Sequence, residues 1–304
     1  MTSFPVLLNK ENIGEFLASN DTFMFDCDGV LWKQNNIVHY VPELIKHLRQ
    51  LGKRVFFISN NNTKSRRQYL EKFSRLEIEA KEDEIYPSSY AAAYYIKYVA
   101  KLCGKVYVLG APGLVEELVN ENIKHIGSGP DEMKGYDIDL VGSYDLDPEV
   151  SCVLHGFDAY YSYNKLHKAI NYLLKDCVHF VATNKDMIFP TDNGFVAPGT
   201  GCLVTATEIS AKRKATVVGK PETLLMECIK HKHDIDPEKT CMIGDNLDTD
   251  ILFGNRCNTT TLLVLTGVST LDDVQREQEN CQFKNMKLPH FYIKSATHLY
   301  DLIK

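Results

Sequence analysis

Two acidic residues one position apart, Asp26 and Asp28, close a short apolar run, Thr22–Phe25. Alternate residues of an extended chain share a face. If the extended geometry persists past Phe25, both carboxylates point the same way, with Cα atoms about 6–7 Å apart, while Cys27 turns aside. Such a pair can divide one reaction between attack by one carboxylate and proton transfer by the other. Gly29 follows at once, as expected where a backbone bends sharply or approaches a ligand closely. The same DCDG run also fits a turn or capping pair, because Asp and Gly are frequent turn formers.

A second acidic cluster, Gly244-Asp245-Asn246-Leu247-Asp248-Thr249-Asp250, follows the apolar run Thr240–Ile243. Its acids can gather with Asp26 around a divalent cation, and hard oxygen ligands suit Mg²⁺ better than a soft metal. Acids here equally complement a helix N-terminus, which is the role expected of Asp248. Lys220 lies between Gly219 and Pro221, which fix the backbone on both sides. That flanking suggests a positioned ammonium, set to offset repulsion between a carboxylate nucleophile and an anionic substrate. An ordinary surface lysine is the alternative. Ser59 and Asn60 offer a hydroxyl and backbone N–H groups at a strand-to-helix turn, a cradle for phosphate oxygens. Asn61, Asn62 and Thr63 read as turn and N-cap residues.

These residues need a scaffold that brings distant segments together. Apolar, β-prone runs at 22–25, 54–58, 105–109, 216–218, 240–243, 261–265 and 291–293 alternate with helical patterns such as 41–51 and 114–122. That alternation predicts a mostly parallel sheet covered on both faces. Asp26/Asp28, Ser59/Asn60, Lys220 and Asp245 each sit just past the carboxyl end of a strand, where open α/β sheets place their ligands. The middle of the chain reads as an inserted second α/β body, with strands near Val106, Leu140, Val153 and Phe180 and helices near Val115 and Lys168.

Composition narrows the choice of partner. The chain has 304 residues, 34 Lys plus Arg, 40 Asp plus Glu and a formal charge of −6, which gives no global basic field to hold a nucleic acid. No apolar run approaches the roughly 20 residues that would span a bilayer, and the start lacks a signal-peptide pattern, so neither a membrane nor secretion is expected. The expected location is cytoplasmic. The nine cysteines are scattered, without C-x-x-C or zinc-type spacing, and read as reduced and mostly buried thiols.

Taken in order, DCDGV, SNN, GKP and GDNLDTD resemble the four motifs of the haloacid dehalogenase superfamily. Supporting runs are FMFDCDGVLW (23–32), SNNNTKSR (59–66), FVATNKD (180–186), PGTGCLV (198–204), VVGKPE (217–222) and LLVLTGVST (262–270). The likeness extends to the branch with a large C2-type α/β cap, which includes phosphoglycolate and 4-nitrophenyl phosphatases. It implies a Rossmann-like doubly wound parallel-sheet core over residues 1–102 and 215–304, with a cap at 103–214 that selects the substrate. By this resemblance Asp26 is the nucleophile and a Mg²⁺ ligand. Asp28 is the acid/base, with its main-chain carbonyl on the metal; Asp245 is a further metal ligand and Asp250 a supporting acid. Ser59, Asn60, Asn61 and Lys220 fall on phosphate-binding positions. Asn246 stands where eukaryotic members often carry Arg and NagD-type members carry Asn.

The implied activity is Mg²⁺-dependent hydrolysis of small phosphomonoesters through an aspartyl-phosphate, with 2-phosphoglycolate or glycerol phosphate favoured and 4-nitrophenyl phosphate as an artificial substrate. Pyridoxal phosphate or a nucleotide monophosphate is the alternative, as is transfer to a second substrate by a phosphotransferase or mutase. The resemblance also allows a homodimer paired through the cap. The cap runs 182–186 and 198–201 are its candidate specificity loops. The tyrosines at 90, 94, 95 and 98 are assigned to packing, and His155, His167, His231 and His233 receive no role.

Overall fold

A computed structural model describes residues 4–131, 145–190, 195–279 and 286–304. Cys281 and the strand expected near Leu140 lie outside them. The chain forms two compact units, one of residues 1–59, 69–86 and 220–304, the other of residues 60–68 and 87–219.

The first unit is built on a seven-stranded sheet in the order Val6–Leu7, Phe291–Ile293, Thr260–Val264, Thr240–Gly244, Thr22–Asp26, Arg54–Ser59 and Ile85–Pro87. Pairings from the Val6 edge through to Arg54–Ser59 are parallel. Thr22–Asp26 and Thr240–Gly244 are buried at every residue, as central strands covered on both faces must be, which is why they read as unbroken apolar runs. Helix Val41–Gln50 shows the complementary pattern. It buries Val41, Leu44, Ile45 and Leu48, one face at i, i+3, i+4 and i+7, and stops before Gly52, whose φ of +76° ends the turn. Phe23, Phe25, Val55, Phe57 and Ile243 join that face in one core.

The second unit has its own parallel sheet, ordered Thr216–Val217, His179–Ala182, Val150–His155, Lys105–Leu109 and His125–Ile126. A separate core of Leu109, Val153, Tyr172, Phe180 and Val204 fills one side. Three segments differ from the sequence reading, and one of them, residues 60–68, lies in this unit instead of the expected core. Thr216–Val217 pairs with Val181–Ala182 as an edge of this second sheet, not the first. Residues 87–102 also belong to this unit, because the helix Ser88–Tyr94 is buried along its length there and Arg66 lies 3.9 Å from the Tyr90 ring centroid. Tyr90 and Tyr94 are thus packing residues, as expected. Several short strands escaped the sequence reading, among them Val6–Leu7, the hairpin Trp32–Lys33/Asn36–Ile37, Ile85–Pro87 and His125–Ile126. Each is two or three residues long, too short to show a period.

Candidate active site

In the first unit's sheet the chain leaves the central strand Thr22–Asp26 toward Arg54–Ser59 on one side and returns as Thr240–Gly244 on the other. This reversal of strand order opens a crevice beyond the strand ends. Asp26, Ser59 and Asp245 occupy the carboxyl ends of these three adjacent strands, and Lys220 and Asp250 join them.

One carboxylate oxygen from each of Asp26, Asp245 and Asp250 lies within 4.8 Å of the others. All three residues are buried, Asp26 at 7% exposure and Asp250 at 1%. The Lys220 ammonium donates to Asp26 Oδ1 and, at 2.7 Å, to Asp250 Oδ1. The other Asp250 oxygen accepts the Asp245 and Asn246 backbone N–H groups at 3.0 and 3.1 Å. Asp245 Oδ2 accepts the Val268 N–H at 2.9 Å, and the Asp245 carbonyl accepts that of Ser269.

Glycines make room for these carboxylates. A Cβ on Gly267 would lie 1.5 Å from Asp245 Oδ2, and one on Gly244 would lie 2.1 Å from the Asp250 Cβ. Gly29, at φ +90°, would place a Cβ 2.3 Å from Asp245 Oδ2, so the backbone bend read from the sequence is present and the close approach is to the Asp245 carboxylate.

Burial raises Asp26 well above the usual carboxylate range. Lys220 opposes the shift, and Asp250 and Asp245 add to it. Burial, then Asp250, pushes Asp245 up to about 7. For Lys220, burial opposes the charge, but Asp250 and Asp26 outweigh it and the ammonium is held charged above its ordinary range. With all three carboxylates ionised, the single ammonium would leave two negative charges uncompensated in a buried place, and the upward shifts of Asp26 and Asp245 reflect that cost. The donor set is all oxygen and short of two positive charges, which fits a hard divalent cation. Among the described residues no other group of three or more His, Cys, Asp or Glu gathers in this way.

The other predicted residues fall in different places. The Asp28 carboxylate is exposed and outside the three-carboxylate group, and its Oδ1 accepts the Trp32 indole N–H at 2.8 Å. Ser59 is buried, and its Oγ accepts the Tyr69 hydroxyl at 3.0 Å. Asn60 and Asn61 belong to the second unit. There Asn60 Nδ2 donates to Asp186 at 3.0 Å, and Asn61 Oδ1 accepts the Thr63 N–H and hydroxyl, a local Asx turn. In that unit Asn62 donates to Asn184 and Thr200, which ties the runs 182–186 and 198–201 to one polar cluster. Asp248 sits in the first helical turn after Asn246, whose side chain accepts its N–H, and pairs with Lys287 at 2.6 Å. It serves the helix end, as expected.

Cys27 packs in the hydrophobic core, where burial pushes its thiol up. The eight described cysteines are all free. Sequence reasoning did not find Trp32, Tyr69 or the Thr266–Ser269 loop, where Thr266 Oγ1 donates to the Gly29 carbonyl at 2.7 Å. The LTGVST run was a visible signal for the loop; the two aromatic residues gave none.

The chain matches the family model described as haloacid dehalogenase-like hydrolase over residues 23–124 and a second, HAD-hydrolase-like model over 217–288. It is 42% identical to glycerol-3-phosphate phosphatase of Rattus norvegicus, over 97% of this chain and 94% of the relative. Identity to 4-nitrophenylphosphatase of Schizosaccharomyces pombe is 39%, over 96% and 97%. Among solved structures, p-nitrophenyl phosphatase from Archaeoglobus fulgidus superposes with a TM-score of 0.77 at 30% identity, covering 93% of this chain and 98% of that one. A parallel α/β sheet with paired carboxylates and a lysine at its carboxyl edge, and this degree of likeness, define a phosphatase. The chain belongs to the haloacid dehalogenase-like hydrolases. No helix among the described residues is long and apolar enough to cross a membrane.

Proposed function

We propose that the chain is a Mg²⁺-dependent phosphomonoesterase that works through an aspartyl-phosphate on Asp26. The observation carrying this is the Lys220 ammonium shared between Asp26 and Asp250 with Asp245 beside them, an arrangement suited to a nucleophilic carboxylate next to a cation site. Asp26, Asp245 and the Asp28 main-chain carbonyl would hold Mg²⁺, with Asp250 supporting. When bound, the ion neutralises charge on the phosphoryl oxygens and on the carboxylates. Lys220 and Ser59 take the phosphate within the first unit; the family resemblance also assigns phosphate contacts to Asn60 and Asn61, which lie in the second.

An Asp26 oxygen attacks phosphorus, the ester P–O bond breaks, and Asp28 gives its proton to the departing oxygen. Asp28, now ionised, takes a proton from water. That water's oxygen attacks the aspartyl-phosphate, releasing inorganic phosphate and restoring Asp26. Lys220 opposes the upward shift of the Asp26 carboxyl and holds it in one orientation, so placement rather than intrinsic nucleophilicity carries the step.

Small phosphorylated alcohols and acids are the proposed substrates, glycerol phosphate and 2-phosphoglycolate foremost. Support comes from the relatives named glycerol-3-phosphate phosphatase and, at 38% identity, the chloroplastic phosphoglycolate phosphatase 1A of Arabidopsis thaliana. Selection of the leaving group is assigned to the second unit, and the site of action to the cytoplasm. A homodimer is also proposed, supported by the exposed apolar side chains Met187, Ile188, Phe195 and Val196 on the second unit.

A substrate panel tests the reading, with Mg²⁺ or EDTA and with Asp26→Asn. Stoichiometric phosphate release from glycerol phosphate or phosphoglycolate is expected. EDTA should abolish it, and Asp26→Asn should reduce it at least about a hundredfold. Transfer to an acceptor without free phosphate would identify a transferase instead, and full turnover by Asp26→Asn would remove Asp26 as nucleophile. A tenfold preference for pyridoxal phosphate or a nucleotide would overturn the substrate class.

A further inference from the structure

Trp32 is the chain's only tryptophan and is fully buried. An indole N–H can only donate, and a buried one must find an acceptor. Here that acceptor is a single carboxylate oxygen, Asp28 Oδ1, at 2.8 Å. The backbone between the two residues is pinned, with the Gly29 N–H on the Trp32 carbonyl at 2.7 Å and the Leu31 and Trp32 N–H groups on the Cys27 carbonyl.

The ring itself is held by its neighbours. Phe73 meets it edge-on with centroids 5.2 Å apart, and Tyr69 lies nearly parallel at 6.4 Å. Lys72 Nζ sits 4.0 Å from the ring centroid and donates to the Gln34 carbonyl at 2.9 Å. A cation on an indole face draws electron density from the ring and makes its N–H a stronger donor. Tyr69 in turn holds the Ser59 hydroxyl, so one aromatic pair touches both Asp28 and Ser59.

Asp28 is exposed, with two free torsions, and would otherwise sample several rotamers. With Oδ1 facing a donor that cannot accept, a proton on this carboxyl must sit on Oδ2. We infer that Trp32 is a positioning residue, holding Asp28 in one rotamer with its transferable proton on Oδ2, aimed away from the indole. The inference rests on the reading of Asp28 as the acid/base.

Its test uses the dependence on leaving group. Departure of glycerol from glycerol phosphate requires a proton, whereas 4-nitrophenolate is stable without one, and kcat/KM reports that step. Trp32→Phe keeps the ring packing and removes the N–H. It should lower kcat/KM for glycerol phosphate about tenfold or more, and for 4-nitrophenyl phosphate less than about threefold. Equal losses on both substrates, or no loss, would overturn the positioning role. Asp28→Asn separates the two readings: if it keeps glycerol phosphate turnover, Asp28 is not the acid, and if it loses it while Trp32→Phe does not, only the Trp32 inference fails. In the unaltered protein the single indole N–H gives one ¹H–¹⁵N cross-peak, which should move in Asp28→Asn. An unmoved peak contradicts the contact.

Discussion

Titrating Mg²⁺ into the metal-free protein at several pH values perturbs the charge imbalance directly. Burial, then Asp250, lifts the Asp245 carboxyl from 3.8 to about 7, and burial shifts Asp26 in the same direction. A carboxyl that holds its proton more tightly when folded stabilises the fold while protonated. The Asp245 contribution is therefore full below about pH 4, is lost as pH rises toward 7, and changes little above. Roughly three pK units at 1.36 kcal/mol each put that loss at about 4 kcal/mol. A divalent cation takes the proton's place, so Mg²⁺ should stabilise little near pH 5, where protons compete, and strongly near pH 8. At about a hundred times its dissociation constant the ion contributes about 2.7 kcal/mol, several degrees in Tm for a chain of this length. Scanning fluorimetry with and without Mg²⁺ from about pH 5 to 8 measures both effects. Equal Mg²⁺ shifts at the two ends of the range would refute the assignment of the carboxylate cluster as the cation site.

Replacing Lys220 with Met strands two buried carboxylates without their shared ammonium. Urea melts of the metal-free variant at neutral pH should show a loss of about 3–5 kcal/mol. A methyl at Gly267 lands on Asp245 Oδ2, so Gly267→Ala should weaken Mg²⁺ binding at least about tenfold in calorimetry while the fold, read by circular dichroism, persists. Light scattering should give twice the chain mass for the unaltered protein and the monomer mass for Phe195→Glu, since Phe195 is 71% exposed on the proposed pairing surface. In the second unit, Lys165→Met leaves Asp158 without its partner of 2.6 Å. It should cost about 3–5 kcal/mol on the same urea assay.

The central strands were legible because burial on both faces forces continuous apolar runs, as at Thr22–Phe25 and Thr240–Ile243. Helix Val41–Gln50 was legible because a one-sided core imposes its 3.6-residue period. Asp26, Asp245 and Asp250 could be grouped from the sequence because parallel strands deliver their carboxyl ends to one edge, whereas Lys220 reaches them from a strand, Thr216–Val217, that belongs to the other sheet. Thr216–Val217 was misassigned, since a strand of two residues carries no information about which sheet it joins. Trp32 was invisible for another reason. It reads as one more apolar residue after DCDG, and only the fold shows that its polar edge meets Asp28.

Negative charge in this pocket and an anionic substrate are at odds unless the protein separates the two functions of its acids. Asp250 accepts two backbone N–H groups and the Lys220 ammonium, so its charge is spent on holding the loop and the lysine in register. Asp245 is gripped by the Val268 N–H and framed by Gly29 and Gly267, which leaves little freedom to turn away from Asp26. Only Asp28 stands outside this clamp, tied through one oxygen to Trp32. The acids that must stay fixed are buried and cross-linked, and the one assigned to exchange protons is exposed with one oxygen unclaimed by the indole. Removing the Trp32 N–H should therefore alter proton transfer without altering Mg²⁺ affinity, whereas Gly267→Ala should do the reverse. Loss of both properties in either variant would mean that the two halves of the site are not separable.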